Sequence, residues 1–78
     1  MPTILTVNGF RFFFYSGDRN EPIHIHVTKG KATGKIWLEP EIRIAYMVGF
    51  NNKEIKEIGE LVKNNNKTFK TKWNEYFA

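Results

Sequence analysis

The sequence predicts an α+β fold: an antiparallel sheet of four to five strands, followed by two C-terminal helices packed on one of its faces. Three observations carry that expectation. Asn8-Gly9 stands between two runs of β-forming residues, Thr3–Val7 and Phe10–Ser16. Apolar and polar residues alternate strictly from Ile23 to Val27. From Asn52 onward, apolar residues recur at helical spacing instead. Strands first and helices afterwards describe a sheet with one covered face.

The first two strands are expected at 3–7 and 10–16. Asn-Gly suits the two-residue type I′ turn, in which both central residues take positive φ. That turn sets Val7 opposite Phe10, Leu5 opposite Phe12 and Thr3 opposite Phe14. Leu5, Val7, Phe10, Phe12 and Phe14 then share a core face, and Ile4, Thr6, Arg11, Phe13 and Tyr15 share the other. Gly17–Pro22 is a polar loop of turn-forming residues. A third strand, Ile23–Lys29, points Ile23, Ile25 and Val27 one way and His24, His26 and Thr28 the other. After a turn at Lys29–Thr33, a fourth strand is expected at Gly34–Leu38, with Ile36 and Leu38 opposed to Lys35 and Trp37. Pro40 breaks or turns the chain. Glu41–Met47 alternates again, as a fifth strand or a short helical turn, with Ile42, Ile44 and Tyr46 set against Arg43, Ala45 and Met47.

Gly49-Phe50-Asn51-Asn52 opens the helical part, where either Asn can cap the free amides. Ile55, Ile58, Leu61 and Val62 form the apolar stripe. Lys53 with Glu57, and Lys56 with Glu60, are spaced to pair outside. Gly59 is unfavourable in a helix and reads as a site of close packing against the sheet. Asn64-Asn65-Asn66 is expected to end this helix, and Lys67–Phe77 to form a second with Phe69, Trp73, Tyr76 and Phe77 on its apolar side.

The chain has 78 residues, so a single domain, residues 1–78, is expected. It has no cysteine, which excludes disulfides and thiolate metal sites. No apolar run reaches the ~18 residues of a membrane span, and Met1-Pro2-Thr3-Ile4 lacks the features of a signal peptide. The expected setting is cytoplasmic, with no membrane partner. A domain this small buries a modest fraction of its surface, so a homo-oligomer or a protein complex is a natural expectation. Twelve Lys and Arg against eight Asp and Glu give a net charge of +4, mildly favouring polyanionic partners such as RNA.

If the helices cover the apolar side, the other side collects Arg11, Tyr15, His24, His26, Lys35, Trp37 and, with a fifth strand, Arg43. His24 and His26 root about 6.5–7 Å apart on one strand face. Three chemistries fit. As metal ligands they need a carboxylate from Asp18, Glu21 or Glu39 to complete a two-His, one-carboxylate set. As acid and base, with Lys35, Arg11 or Arg43 near a developing negative charge, they have the equipment of metal-free RNA cleavage. Without chemistry, Tyr15, Phe13 and Trp37 among basic residues could stack bases or meet a partner protein. The plain structural reading is that both histidines are half-buried strand residues bonded to neighbours, with Trp37 and Phe13 covered by another subunit. The sequence assigns His24, His26, Lys35 and Arg43 as candidate catalytic residues and Arg11, Tyr15 and Trp37 as candidate binding residues. It assigns no cofactor and no metal. Lys63, Lys67 and Lys70 read as a solvated basic face, and there is no Gly-rich phosphate loop or nucleophile elbow.

Phe12-Phe13-Phe14-Tyr15-Ser16, Glu21-Pro22-Ile23-His24-Ile25-His26-Val27, Lys35-Ile36-Trp37-Leu38-Glu39-Pro40, Gly49-Phe50-Asn51 and Trp73-Asn74-Glu75-Tyr76-Phe77 together resemble a family of small bacterial proteins. It is the domain-of-unknown-function family numbered four-one-six-zero. The resemblance implies a bacterial or mobile-element origin and gene pairs similar to toxin–antitoxin modules. It thereby implies a toxin-like component with an antitoxin-like protein partner, and it transfers no catalytic residues. The leading expectation is such a component acting on or binding RNA through the His24/His26 face. The alternative is a non-enzymatic interaction module, homodimeric or partner-binding, using the same face.

Overall fold

The computed structural model describes residues 3–78. The expectation for the N-terminus at Met1 and Pro2 lies outside the described residues. Five strands, β1 (Thr3–Val7), β2 (Phe10–Phe13), β3 (His24–Lys29), β4 (Ala32–Trp37) and β5 (Arg43–Val48), form one antiparallel sheet in the order β1-β2-β3-β4-β5. A single helix, α1 (Asn52–Tyr76), follows. The fold is α+β, with one helix where two were expected.

The Asn8-Gly9 turn forms as predicted, with φ of 53° and 84°. Val7 lies opposite Phe10 and Leu5 opposite Phe12. A bulge then inserts Ile4, so Thr3 faces Phe13 rather than Phe14. The extra residue lets Ile4 pack against the core although simple alternation puts it on the opposite side. β2 stops at Phe13 instead of Ser16, because the chain curls into a 3₁₀ helix at Ser16–Asn20. Between β3 and β4, the turn narrows to Gly30 and Lys31, Gly30 having a φ of 60°. β4 therefore starts at Ala32, two residues earlier than its pattern indicates.

The fifth strand forms, but its parity differs from a regular one. Lys35 pairs with Tyr46 and Ile36 with Ile44, which leaves Ala45 as an extra residue. Met47 lies opposite Gly34 and packs on the core, whereas Tyr46 follows Lys35 onto the other face.

Helix α1 begins with a reciprocal cap. The Asn51 side chain accepts from the Glu54 N–H at 2.8 Å, and the Asn51 N–H donates to Glu54 Oε1 at 3.0 Å. Ile58, Val62, Phe69 and Trp73 are buried on one stripe that runs straight through Asn64–Asn66. Within that run, the Asn65 side chain donates back to the Leu61 carbonyl at 2.8 Å, four residues earlier, so it does not compete for the helical amides. A continuous stripe of buried aromatics outweighs a propensity deficit of about 0.6 kcal/mol per Asn. Gly59 is exposed and has no neighbour within 4 Å of an added Cβ, so it marks no close packing. Glu57 accepts from Asn8 at 3.0 Å instead of pairing with Lys53.

The core lies between α1 and the sheet: Phe10, Phe12, Phe14, Ile25, Val27, Ile36 and Leu38 meet Ile58, Val62, Phe69 and Trp73. Phe12 packs on Phe69 and Phe14 on Trp73, each with ring centroids 5.3 Å apart. Among the described residues, no helix is long and apolar enough to cross a membrane.

Candidate functional site

Alternation along β3 sends Ile25 and Val27 into the core and His24 and His26 to the opposite side. Pairing then builds two rows across that side. Phe13, His26, Lys35 and Tyr46 form one, and His24, Trp37 and Arg43 form the other. The gathering of these residues follows from strand parity and the β5 bulge.

The histidines are not open to solvent, however. His24 is 0% exposed and His26 6%. The 3₁₀ helix folds over them, and its Asp18 is the residue that seals the site. Asp18 Oδ2 lies 3.0 Å from His24 Nε2 and 3.2 Å from His26 Nε2, and it accepts the Tyr15 backbone N–H at 2.8 Å. Phe13 stacks on the His26 ring at 5.6 Å, and Tyr15 approaches it edge-on at 4.7 Å. Trp37 and Trp73 flank the His24 ring at 5.3 and 5.0 Å, Trp73 reaching across from α1.

The His24 tautomer follows from its partner. Nδ1 lies 2.8 Å from the Pro22 carbonyl oxygen, which can only accept, so Nδ1 carries a proton. Nε2 is left buried without a hydrogen bond, since its approach to Asp18 is close but misaligned. Burial pushes the His26 pKa below its ordinary value. The Lys35 charge acts in the same direction, and Asp18 opposes both.

The remaining predicted residues surround this buried group. Lys35 Nζ binds Glu21 Oε1 at 2.6 Å and lies 4.2 Å from the Trp37 ring centre. This amine holds the Glu21 carboxyl below the usual carboxylate range. Arg11 donates to Thr3 Oγ1 at 2.7 Å and covers the Phe13 ring at 4.6 Å. Tyr15 is half exposed at the rim. Arg43 sits on the outermost strand opposite Trp37, and no ion pair or hydrogen bond joins it to either imidazole among the described residues.

Of the three carboxylates that could join the histidines, the fold selects Asp18. Glu21 is taken by Lys35, and Glu39 by Lys70 at 2.8 Å. Asp18, His24 and His26 each offer one ligand atom, all within 4.8 Å of one another. The pattern Gly17-Asp18 signals a turn and no more, so the closeness of Asp18 to both rings is a product of the 3₁₀ fold-over. The Pro22 carbonyl and Trp73 are partners of His24 that sequence reasoning did not place there. Two surface hollows lie away from these residues, one lined by Ile4, Phe14, Lys72, Glu75 and Tyr76, the other by Lys53, Lys56, Glu57 and Glu60 on the polar side of α1.

No curated protein matches the chain, and no solved structure does. Residues 9–74, which hold the 3₁₀ helix, both histidines and almost all of α1, match the model of the family described as Domain of unknown function (DUF4160), and the chain belongs to that family.

Proposed function

We propose that the protein is a non-enzymatic interaction module that pairs with a second copy of itself along the outer edge of β5. One observation carries this reading. Ile44, Tyr46 and Val48 on β5, and Ile42 just before it, are exposed, on an edge strand that pairs only with β4 among the described residues. Edges left open in this way normally carry charge or proline to prevent pairing. Here the strand Arg43–Val48 carries one charge, at its first residue.

Self-pairing fits both the faces and the charges. The Ala45 bulge puts Ile44 and Met47 on the α1 side and Arg43 and Val48 on the other. An antiparallel two-fold pair then sets Ile44 against Met47 of the second copy and Arg43 against Val48, like face to like face. The two Arg43 charges fall about 17 Å apart at ~3.4 Å per residue, beyond the ~8 Å screening length of physiological salt. Action on RNA has weaker support, because the His24 ring is fully buried and the His26 ring nearly so, out of reach of a ribose. In a toxin–antitoxin-like gene pair, the dimer would be the form that meets the partner protein.

Sedimentation of the full chain tests this reading. The expected result is a mass of two 9.2 kDa copies, returning to one copy in an Ile44→Lys, Tyr46→Lys variant. A wild-type chain that stays monomeric at every concentration overturns it, as does a dimer that survives both lysines. RNA cleavage lost in a His26→Ala variant would overturn the non-enzymatic part.

A further inference from the structure

We propose that Asp18, His24 and His26 form a binding site for a divalent transition-metal ion of the zinc class, closed beneath the 3₁₀ helix. The site is independent of the β5 edge.

Three observations converge on it. The first is distance. Ligands bonded to one ion at ~2.1 Å stand ~3.0–3.4 Å apart in octahedral or tetrahedral arrangements. Asp18 Oδ2 lies 3.0 Å from His24 Nε2 and accepts a hydrogen bond from His26 Nε2 at 3.2 Å, the proton of which the ion would displace, and the three ligand atoms lie within 4.8 Å of one another. The second is an orphaned atom. His24 Nε2 is wholly buried and has no hydrogen-bond partner, although a carboxylate oxygen stands beside it. A buried ring nitrogen that has no hydrogen bond and lies close to a carboxylate is unfavourable without a positive group to bind them both. The third is the outer support. A metal-bound imidazole commonly donates its second nitrogen to a carbonyl, which fixes the ring and directs the lone pair at the ion. His24 makes this bond to Pro22 at 2.8 Å. Asp18 is oriented likewise by the Tyr15 N–H at 2.8 Å.

The donor set defines the ion. Two imidazoles and one carboxylate suit zinc, cobalt(II), nickel(II) or iron(II), whereas magnesium and calcium require oxygen ligands. With one formal negative charge on the site, a dication leaves a net positive centre and a position for water. Asp18, whose side chain is 13% exposed, marks the side from which ion and water enter. A bound ion would join the 3₁₀ helix to β3, a role disulfides fill in other chains of this size.

The test uses the full chain, stripped with a chelator and titrated with Zn2+ and then Co2+. One ion per chain is expected, with a Co2+ visible spectrum of nitrogen and oxygen ligands. On Zn2+ binding, the Nε2 resonances of both histidines should move, with His24 Nδ1 still protonated. Asp18→Asn and His26→Gln should each weaken binding by at least about tenfold. Glu39→Gln, at a carboxylate paired with Lys70, should leave it unchanged. The proposal is overturned by uptake below one ion per chain, by equal uptake of Mg2+, or by affinity undiminished in both variants. Should Asp18→Asn not fold, His26→Gln and the Nε2 resonances decide alone, and unmoved resonances overturn the site.

Discussion

The backbone N–H of Tyr15 donates to Oδ2 of Asp18 at 2.8 Å, the same oxygen that faces both imidazoles. One atom thus closes the 3₁₀ turn on itself and holds that turn against β3. Charge-assisted bonds of this kind contribute more than neutral ones, and a partner left buried adds its own cost. In metal-free protein, Asp18→Ala should therefore destabilise the fold by about 2–4 kcal/mol. The urea midpoint should fall with its slope unchanged. An unmoved midpoint would mean that other contacts secure the turn.

Lys35 controls the ionisation of Glu21. The carboxyl is held below its ordinary range chiefly by the hydrogen bond from the Lys35 amine. A lowered folded-state pKa contributes stability that is present above the unfolded value and is lost as pH falls through the folded one. In a Lys35→Met variant, the Glu21 side-chain carboxyl resonance should titrate at higher pH, close to an ordinary glutamate. If its midpoint stays where it is in the parent, the ion pair is not the cause of the shift.

Gly34 is required by close approach rather than by backbone conformation. A Cβ at this position would stand 2.5 Å from Met47 Sδ and 3.2 Å from both the Tyr46 carbonyl oxygen and Val27 Cγ1. The methionine tip can swing away, but the Tyr46 backbone cannot. Gly34→Ala should cost about 1–3 kcal/mol. Adding Met47→Ala should recover part of that, so the two changes together cost less than their sum. Strict additivity in thermal unfolding would place the strain elsewhere.

Gly59 offers the opposite case. It lies in the exposed part of α1, with open space where a Cβ would go. Gly59→Ala should stabilise the protein by about 1 kcal/mol, by removing freedom from the unfolded chain. A destabilised variant in the same unfolding assay would contradict the exposed placement.

Much of the sheet was legible because its signals are local. Asn8-Gly9 sets two positive φ angles, and the spacing of Ile25 and Val27 sets the side on which His24 and His26 lie. The bulges at Ile4 and Ala45 were not legible, since each depends on how a neighbouring strand lies. Asn64–Asn66 read as a helix end on propensity alone. The stripe from Ile58 to Trp73, which keeps one helical phase across that run, held the information that α1 continues. For the site, parity separated the imidazoles from Ile25 and Val27, but it put them on an open face, whereas both are buried and His24 lies against Trp73 of α1. It could not show that Asp18 closes over them, because a ten-residue connection between β2 and β3 can fold in many ways.

Each strand lies beside its neighbour in the chain, with no crossover anywhere in the sheet. Ordering such a meander closes short loops one after another, each with a small entropic penalty. The sheet can therefore zip outward from its two tight turns at Asn8-Gly9 and Gly30-Lys31. The contacts of Phe12 and Phe14 with Phe69, Trp73, Tyr76 and Phe77 join the two ends of the chain, so the docking of α1 is expected to set the folding speed.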